Sequence, residues 1–194
     1  MSEALHDQTG KRKYLTAEER RRFLEAAEAA DRETRTLCLT LAYTGCRLSE
    51  ALALTAERVD LAERSLVFES LKKRRRGHYR AVPVPAEVID ALDLAHDLRA
   101  VQRSGRAART RLWPWARETG WRRVTAVMRR AELHGPQATP KGLRHAFGVQ
   151  AVASGVPLNL LQRWLGHAQL STTAIYANAQ GAEARQIAER MWQR

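Results

Sequence analysis

The chain has 194 residues, 44% hydrophobic and 28% charged, enough to build one folded core and unlike a disordered or collagen-like composition. Thirty-three Lys and Arg against 21 Asp and Glu leave a net charge of +12, which points to a polyanion partner, nucleic acid before an anionic membrane surface. No apolar run approaches the ~18–20 residues of a membrane span, and the N-terminus lacks the apolar core of a signal peptide. Cys38, Cys46 and six scattered histidines show no zinc-type spacing, so the expectation is a cytoplasmic protein with buried thiols and no metal.

Residues 1–13 read as a polar, frayed leader. Thr16 with Glu19 is a capping-box pattern opening a helix to about Ala30. A second helix over 33–44 is apolar nearly all round, hence buried, and Gly45 ends it. Ser49 is placed to cap a short helix beyond that turn. Ser65–Leu71 and His78–Val84 have the β-branched and aromatic content of two strands, joined by the basic tip Lys72-Lys73-Arg74-Arg75-Arg76-Gly77.

Pro85 opens the next helix, with Val88, Ile89, Leu92 and Ala95 on one face. Leu98 to Arg117 holds six arginines and no acid and reads as a loop. Trp121, Val124, Val127, Met128 and Ala131 mark a helix over 121–133, and further helices are expected over 142–154, 157–165 and 171–177. The five tryptophans read as core residues. A tail helix over 182–193 carries an apolar stripe of Ala184, Ile187, Ala188 and Met191 that needs a surface to cover it. The fold class is mainly α with a small antiparallel sheet.

Chemistry concentrates between Thr139 and Tyr176, where Lys141, Arg144, His145, His167 and Tyr176 fall within one segment. A phenol with a pKa near ~10 is a poor nucleophile at neutral pH. A phosphodiester is a poor electrophile until cations draw charge off its oxygens. Tyrosine with clustered cations therefore suggests attack of a phenol on a phosphate.

The residues Thr44-Gly45-Cys46-Arg47-Leu48-Ser49-Glu50, Leu71-Lys72-Lys73-Arg74, Lys141-Gly142-Leu143-Arg144-His145, Leu165-Gly166-His167 and Thr173-x-x-Tyr176 occur in the order of five family boxes. On them the chain resembles the catalytic domain of the tyrosine recombinases, the phage integrase family. The resemblance implies a catalytic domain over 14–180, without the N-terminal arm domain many members carry, and the apolar stripe of the C-terminal helix over 181–194 adds the expectation that this helix is exchanged between protomers. It implies a site-specific recombinase or integrase that cuts and rejoins DNA through a 3′-phosphotyrosine. Arg47 and Arg144 would grip the phosphate, Lys72 or alternatively Lys73 would protonate the leaving 5′ oxygen, and Tyr176 would attack. Lys141 stands where the family pattern has His, which leaves it a donor or third cation. His167 would bind the phosphate or place the phenol, with Glu50 and His145 in support.

Lys73, Arg74, Arg75, Arg76 and Arg80 are the expected contacts to the DNA backbone. The chemistry conserves the phosphodiester in a covalent bond, so no cofactor and no metal are called for. The expected partners are double-stranded DNA, further copies of the chain in a tetrameric synapse, and accessory DNA-binding proteins, but no membrane. Two other readings are a DNA-binding regulator without catalysis, the segment around Gly166 resembling a helix-turn-helix, and a relaxing topoisomerase.

Overall fold

A computed structural model describes residues 5–69, 77–105 and 107–178 together with 188, 189 and 192. Helix α1 (Ala17–Glu28) starts at the expected capping box, the Thr16 hydroxyl accepting from Glu19 N–H and the Glu19 carboxylate accepting from Thr16 N–H. Asp31 caps α2 (Arg32–Thr44), whose residues are buried on nearly every side. Gly45, at φ +61°, ends it in the left-handed conformation that a residue without Cβ adopts without strain. α2 is the axis of the core, packed against α1, α4 (Ala86–His96), α6 (Arg117–Arg130) and α7 (Pro140–Ala153).

The sheet has order β1-β2-β3, all antiparallel: β1 (Val59–Asp60), β2 (Ser65–Glu69) and β3 (Tyr79–Pro83). Leu66 pairs with Val82 and Phe68 with Arg80, and these four side chains form the buried face. A second, smaller apolar cluster lies on the other side of α7: Leu5, Tyr14, Val149, Ala151, Leu161, Leu165 and Tyr176. It draws on α8 (Leu158–Leu165) and on the 3₁₀ turn Ile175–Asn178 that follows α9 (Leu170–Ala174).

Several expectations are corrected. The cap of α3 (Leu48–Ala51) is Arg47, because the Glu50 carboxylate reaches back to Arg47 N–H at 2.8 Å, and Ser49 lies inside the helix. The leader is not frayed at residues 5–13: Leu5 is buried, and Lys13 N–H donates to Leu5 C=O at 2.8 Å, folding the segment back on itself. The arginine-rich stretch contains α5 (Leu98–Arg103), its Leu98 fully buried and its Gln102 amide holding the carbonyls of Ala56 and Val59. β1, two residues long, carried too little pattern to be read. Trp113 is core, its indole N–H donating to Glu33 C=O at 2.9 Å. Trp121 and Trp192, however, are 43% and 68% exposed. For Trp121 the reason is register: α6 starts at Arg117, and its buried stripe is Gly120, Val124, Val127 and Met128. The basic hairpin tip with Lys72, Lys73, Arg74, Arg75 and Arg76, and most of the tail helix, lie outside the described residues.

Candidate active site

The end of α2, the start of α3, the first turns of α7 and the end of α8 meet at one place. Arg144 ties them together. Its guanidinium donates to Gly45 C=O at 2.7 Å and Leu165 C=O at 2.8 Å, the carbonyls left over where α2 and α8 stop. Burial, reinforced by the charge of Arg47 nearby, pulls Arg144 down to about 10, so it stays a cation at neutral pH. Gly142 makes the approach possible: a Cβ there would stand 1.8 Å from Gln137 C=O, so α7 could not seat against that loop with any other residue.

Beside Arg144 opens a cavity of about 300 Å³ lined by Arg47, Leu48, Ser49, Arg117, Pro140, Lys141, Arg144 and His145. Among the described residues four of its walls are cations and none is a carboxylate. Pro140 and Lys141 are the first two residues of α7, so the positive end of a 14-residue helix adds to the field. The arrangement suits a tetrahedral anion. Arg117, read from sequence as one of a run of loop arginines, belongs to this wall. The signal that would have found it is the start of α6 at that residue, which holds it in a fixed place.

Tyr176 does not line the cavity. Its side chain is wholly buried, and its hydroxyl is 3.2 Å from Nδ1 of His145. His145, expected only in support, thus separates the phenol from the cavity it lines. The phenol ring lies on Gly148, where a Cβ would come within 2.5 Å of two ring atoms. His167 is also buried; its ring is nearly parallel to that of Tyr176, at 9° and 6.4 Å between centroids, and its Nδ1 is 2.9 Å from the Thr173 hydroxyl.

Arg47 keeps 34% of its side-chain surface exposed and is paired to Glu50 at 3.0 Å. The structure therefore brings Arg47, Lys141, Arg144 and His145 to one cavity, with Tyr176 behind His145, while His167, stacked on Tyr176, lines a separate hollow with Arg80 and Gly166. Arg80 is the exception. Expected on the DNA backbone, it is buried, held by Glu50 and by the carbonyl of Trp164. Alternation along β3, with Tyr79 and Ala81 exposed and Arg80 and Val82 buried, is the signal that would have placed it inward.

Residues 13–183 match the phage integrase family over most of the chain. The chain belongs to that family. Among its relatives, tyrosine recombinase XerA of Pyrococcus furiosus is 28% identical over 186 residues, covering 92% of this chain and 61% of its own length. Tyrosine recombinase XerD of Pseudomonas putida is 31% identical over 170 residues, covering 84% and 55% respectively. The crystal structure of XerA recombinase superposes with a TM-score of 0.76 at 28% identity, covering 93% of this chain and 65% of that one. The fold is that of family members, and the chain spans between about 45% and 62% of the length of the curated relatives it matches.

Proposed function

We propose that the chain cuts and rejoins double-stranded DNA as a site-specific tyrosine recombinase. The observation that carries this reading is the cavity of Arg47, Arg117, Lys141 and Arg144, acid-free among the described residues and one imidazole away from the hydroxyl of Tyr176. A backbone phosphate seated there would share its charge with two planar guanidinium groups, which match two oxygens at once. These cations stabilise the charge that grows as phosphorus becomes five-coordinate. Tyr176 leaves its seat, its oxygen bonds to phosphorus, and the bond from phosphorus to the 5′ oxygen breaks. His145 Nδ1, 3.2 Å from the hydroxyl in the seated position, takes up the phenolic proton as the ring leaves. Lys72 or Lys73 protonates the departing 5′ oxygen. The product is a 3′-phosphotyrosine, and attack by another 5′ hydroxyl reseals the strand and restores the phenol. Lys141, in place of the family's His, serves as a third cation on the phosphate.

Its site of action is the cytoplasm, on nucleoid DNA, consistent with the net charge of +12. Among the described residues no helix is long and apolar enough to cross a membrane. The charge-stabilising role of Arg144 is tested by Arg144→Ala: strand cleavage should fall by ~10²–10³-fold, with DNA binding largely kept. Equal loss of both would make Arg144 a binding residue only.

Assembly follows the same reading. Four copies act together on paired sites, with accessory DNA-binding proteins supplying further recognition, and the apolar stripe of residues 182–193 docks on a neighbouring copy. Deleting 182–194 should abolish rejoining between two duplexes while leaving single-strand cleavage. Unchanged strand exchange by the shortened chain would refute the docking.

A further inference from the structure

Arg80 is a buried cation that does not face the cavity. Its guanidinium donates to Glu50 Oε2 at 2.6 Å and Oε1 at 3.4 Å, and its Nε donates to Trp164 C=O at 2.7 Å. It lies over the Phe68 ring, 5.3 Å from the centroid, and passes beneath Gly166, where a Cβ would stand 3.1 Å from it. Glu50 is equally enclosed, with 2% of its side chain exposed, and the same carboxylate receives both the N–H and the guanidinium of Arg47. One buried anion thus holds two arginines, an outer one lining the anion cavity and an inner one that closes the fold behind it.

We propose that Arg80 is a positioning residue of the cleavage site: through Glu50 it fixes the reach of Arg47, and through the Trp164 carbonyl it fixes the Gly166–His167 turn, without touching DNA. The inference rests on the cleavage reading above. Its physical basis is the cost of a buried carboxylate. Burial drives Glu50 upward, but the charge and hydrogen bond of Arg80, aided by Arg47, outweigh it and hold the carboxyl below its ordinary 4.5. Without Arg80, the partner left among the described residues is the partly exposed Arg47, and an enclosed carboxylate with too little positive charge takes up a proton or swings away. Either response releases Arg47. Among the described residues two more titratable groups sense this charge: Arg144, still a cation, and the Cys46 thiol, which burial pushes up to about 12 and keeps neutral.

The test uses Arg80→Met, Arg80→Lys, Glu50→Gln and the double variant Glu50→Gln/Arg80→Met. The probe is a nicked duplex that the native chain selects, as covalent adduct, from a random-sequence pool. Single-turnover cleavage at saturating protein and duplex affinity are measured from pH 5.5 to 8.5. Arg80→Met should cleave ~10²-fold more slowly while its Kd moves less than ~3-fold, the signature of lost transition-state stabilisation rather than lost binding. Native Glu50 stays ionised throughout this range. In Arg80→Met it gains a proton as pH falls, so cleavage should drop on the acid side where the native rate does not. Arg80→Lys should recover about tenfold with the native pH profile, since it restores the charge. The double variant should be no slower than Glu50→Gln.

Parallel losses of affinity and cleavage would make Arg80 a phosphate contact and overturn the proposal. So would native cleavage by a folded but less stable Arg80→Met. If Arg80→Met does not fold, Arg80→Lys decides: a rate between ~3- and ~30-fold below native with unchanged Kd supports the proposal, and a native rate refutes it. A native chain that yields no adduct from the pool overturns the cleavage reading itself, a result distinct from a native chain and variants that cleave alike.

Discussion

A Cβ at position 148 would stand 2.5 Å from two atoms of the Tyr176 ring, with glycine's missing side chain serving as the seat of the phenol. The sequence shows Tyr176 and His145 as residue types in a family pattern. It does not show that the tyrosine rests inside the smaller apolar cluster with its hydroxyl on His145, because that seat is made by α7 and the chain after α9, 31 residues apart. Gly148→Ala should therefore unseat the phenol, at a cost of about 1–3 kcal/mol for overpacking. The measurement is nitration of tyrosines followed by peptide mapping. The native chain should react at Tyr79, which is 54% exposed, and resist at Tyr176. Gly148→Ala should react at both, and continued protection of Tyr176 would show that the seat yields without expelling the ring.

At the level of elements, what was legible is what is local. Thr16 caps α1 and Gly45 stops α2 as expected, while Asp31 and Thr139 with Pro140 open α2 and α7 one to two residues before the expected helix starts. Each signal lies within four residues of the end it marks. The stretch after α4 was misread because its arginines dominated the composition, while Leu98, buried at the start of α5, was the residue that decided its structure. Contacts between elements were beyond reach. At the end of α4, the His96 ring meets Thr36 of α2 at 3.2 Å and stands edge-on to Trp113. Burial lowers its pKa from 6.5, so the folded chain keeps it neutral where the unfolded chain takes up a proton. Its share of stability is complete above about 6.5 and is lost as pH falls below that value. His96→Gln should narrow the gap in Tm between pH 7.5 and pH 5.5. An unchanged gap would assign the pH dependence elsewhere.

Across the whole molecule, the order of the boxes was readable, but their convergence was not. Arg47 and Arg144 are 97 positions apart in sequence, yet both reach one cavity because the carbonyl of Gly45, two residues before Arg47, accepts from Arg144. Arg80 shows the limit of reasoning from charge: a basic residue beside a basic hairpin was assigned to DNA, while the pleat of β3 turns it inward to Glu50. The net charge of +12 is consistent with DNA binding but does not distinguish a binder from an enzyme. That distinction rests on Tyr176. The deciding measurement is covalent trapping on a nicked duplex whose short 5′ fragment diffuses away after cleavage. The native chain should form a 3′-linked adduct at residue 176, and Tyr176→Phe should bind the same duplex and form none. An adduct that persists in Tyr176→Phe, or that maps to another residue, would contradict the proposed chemistry.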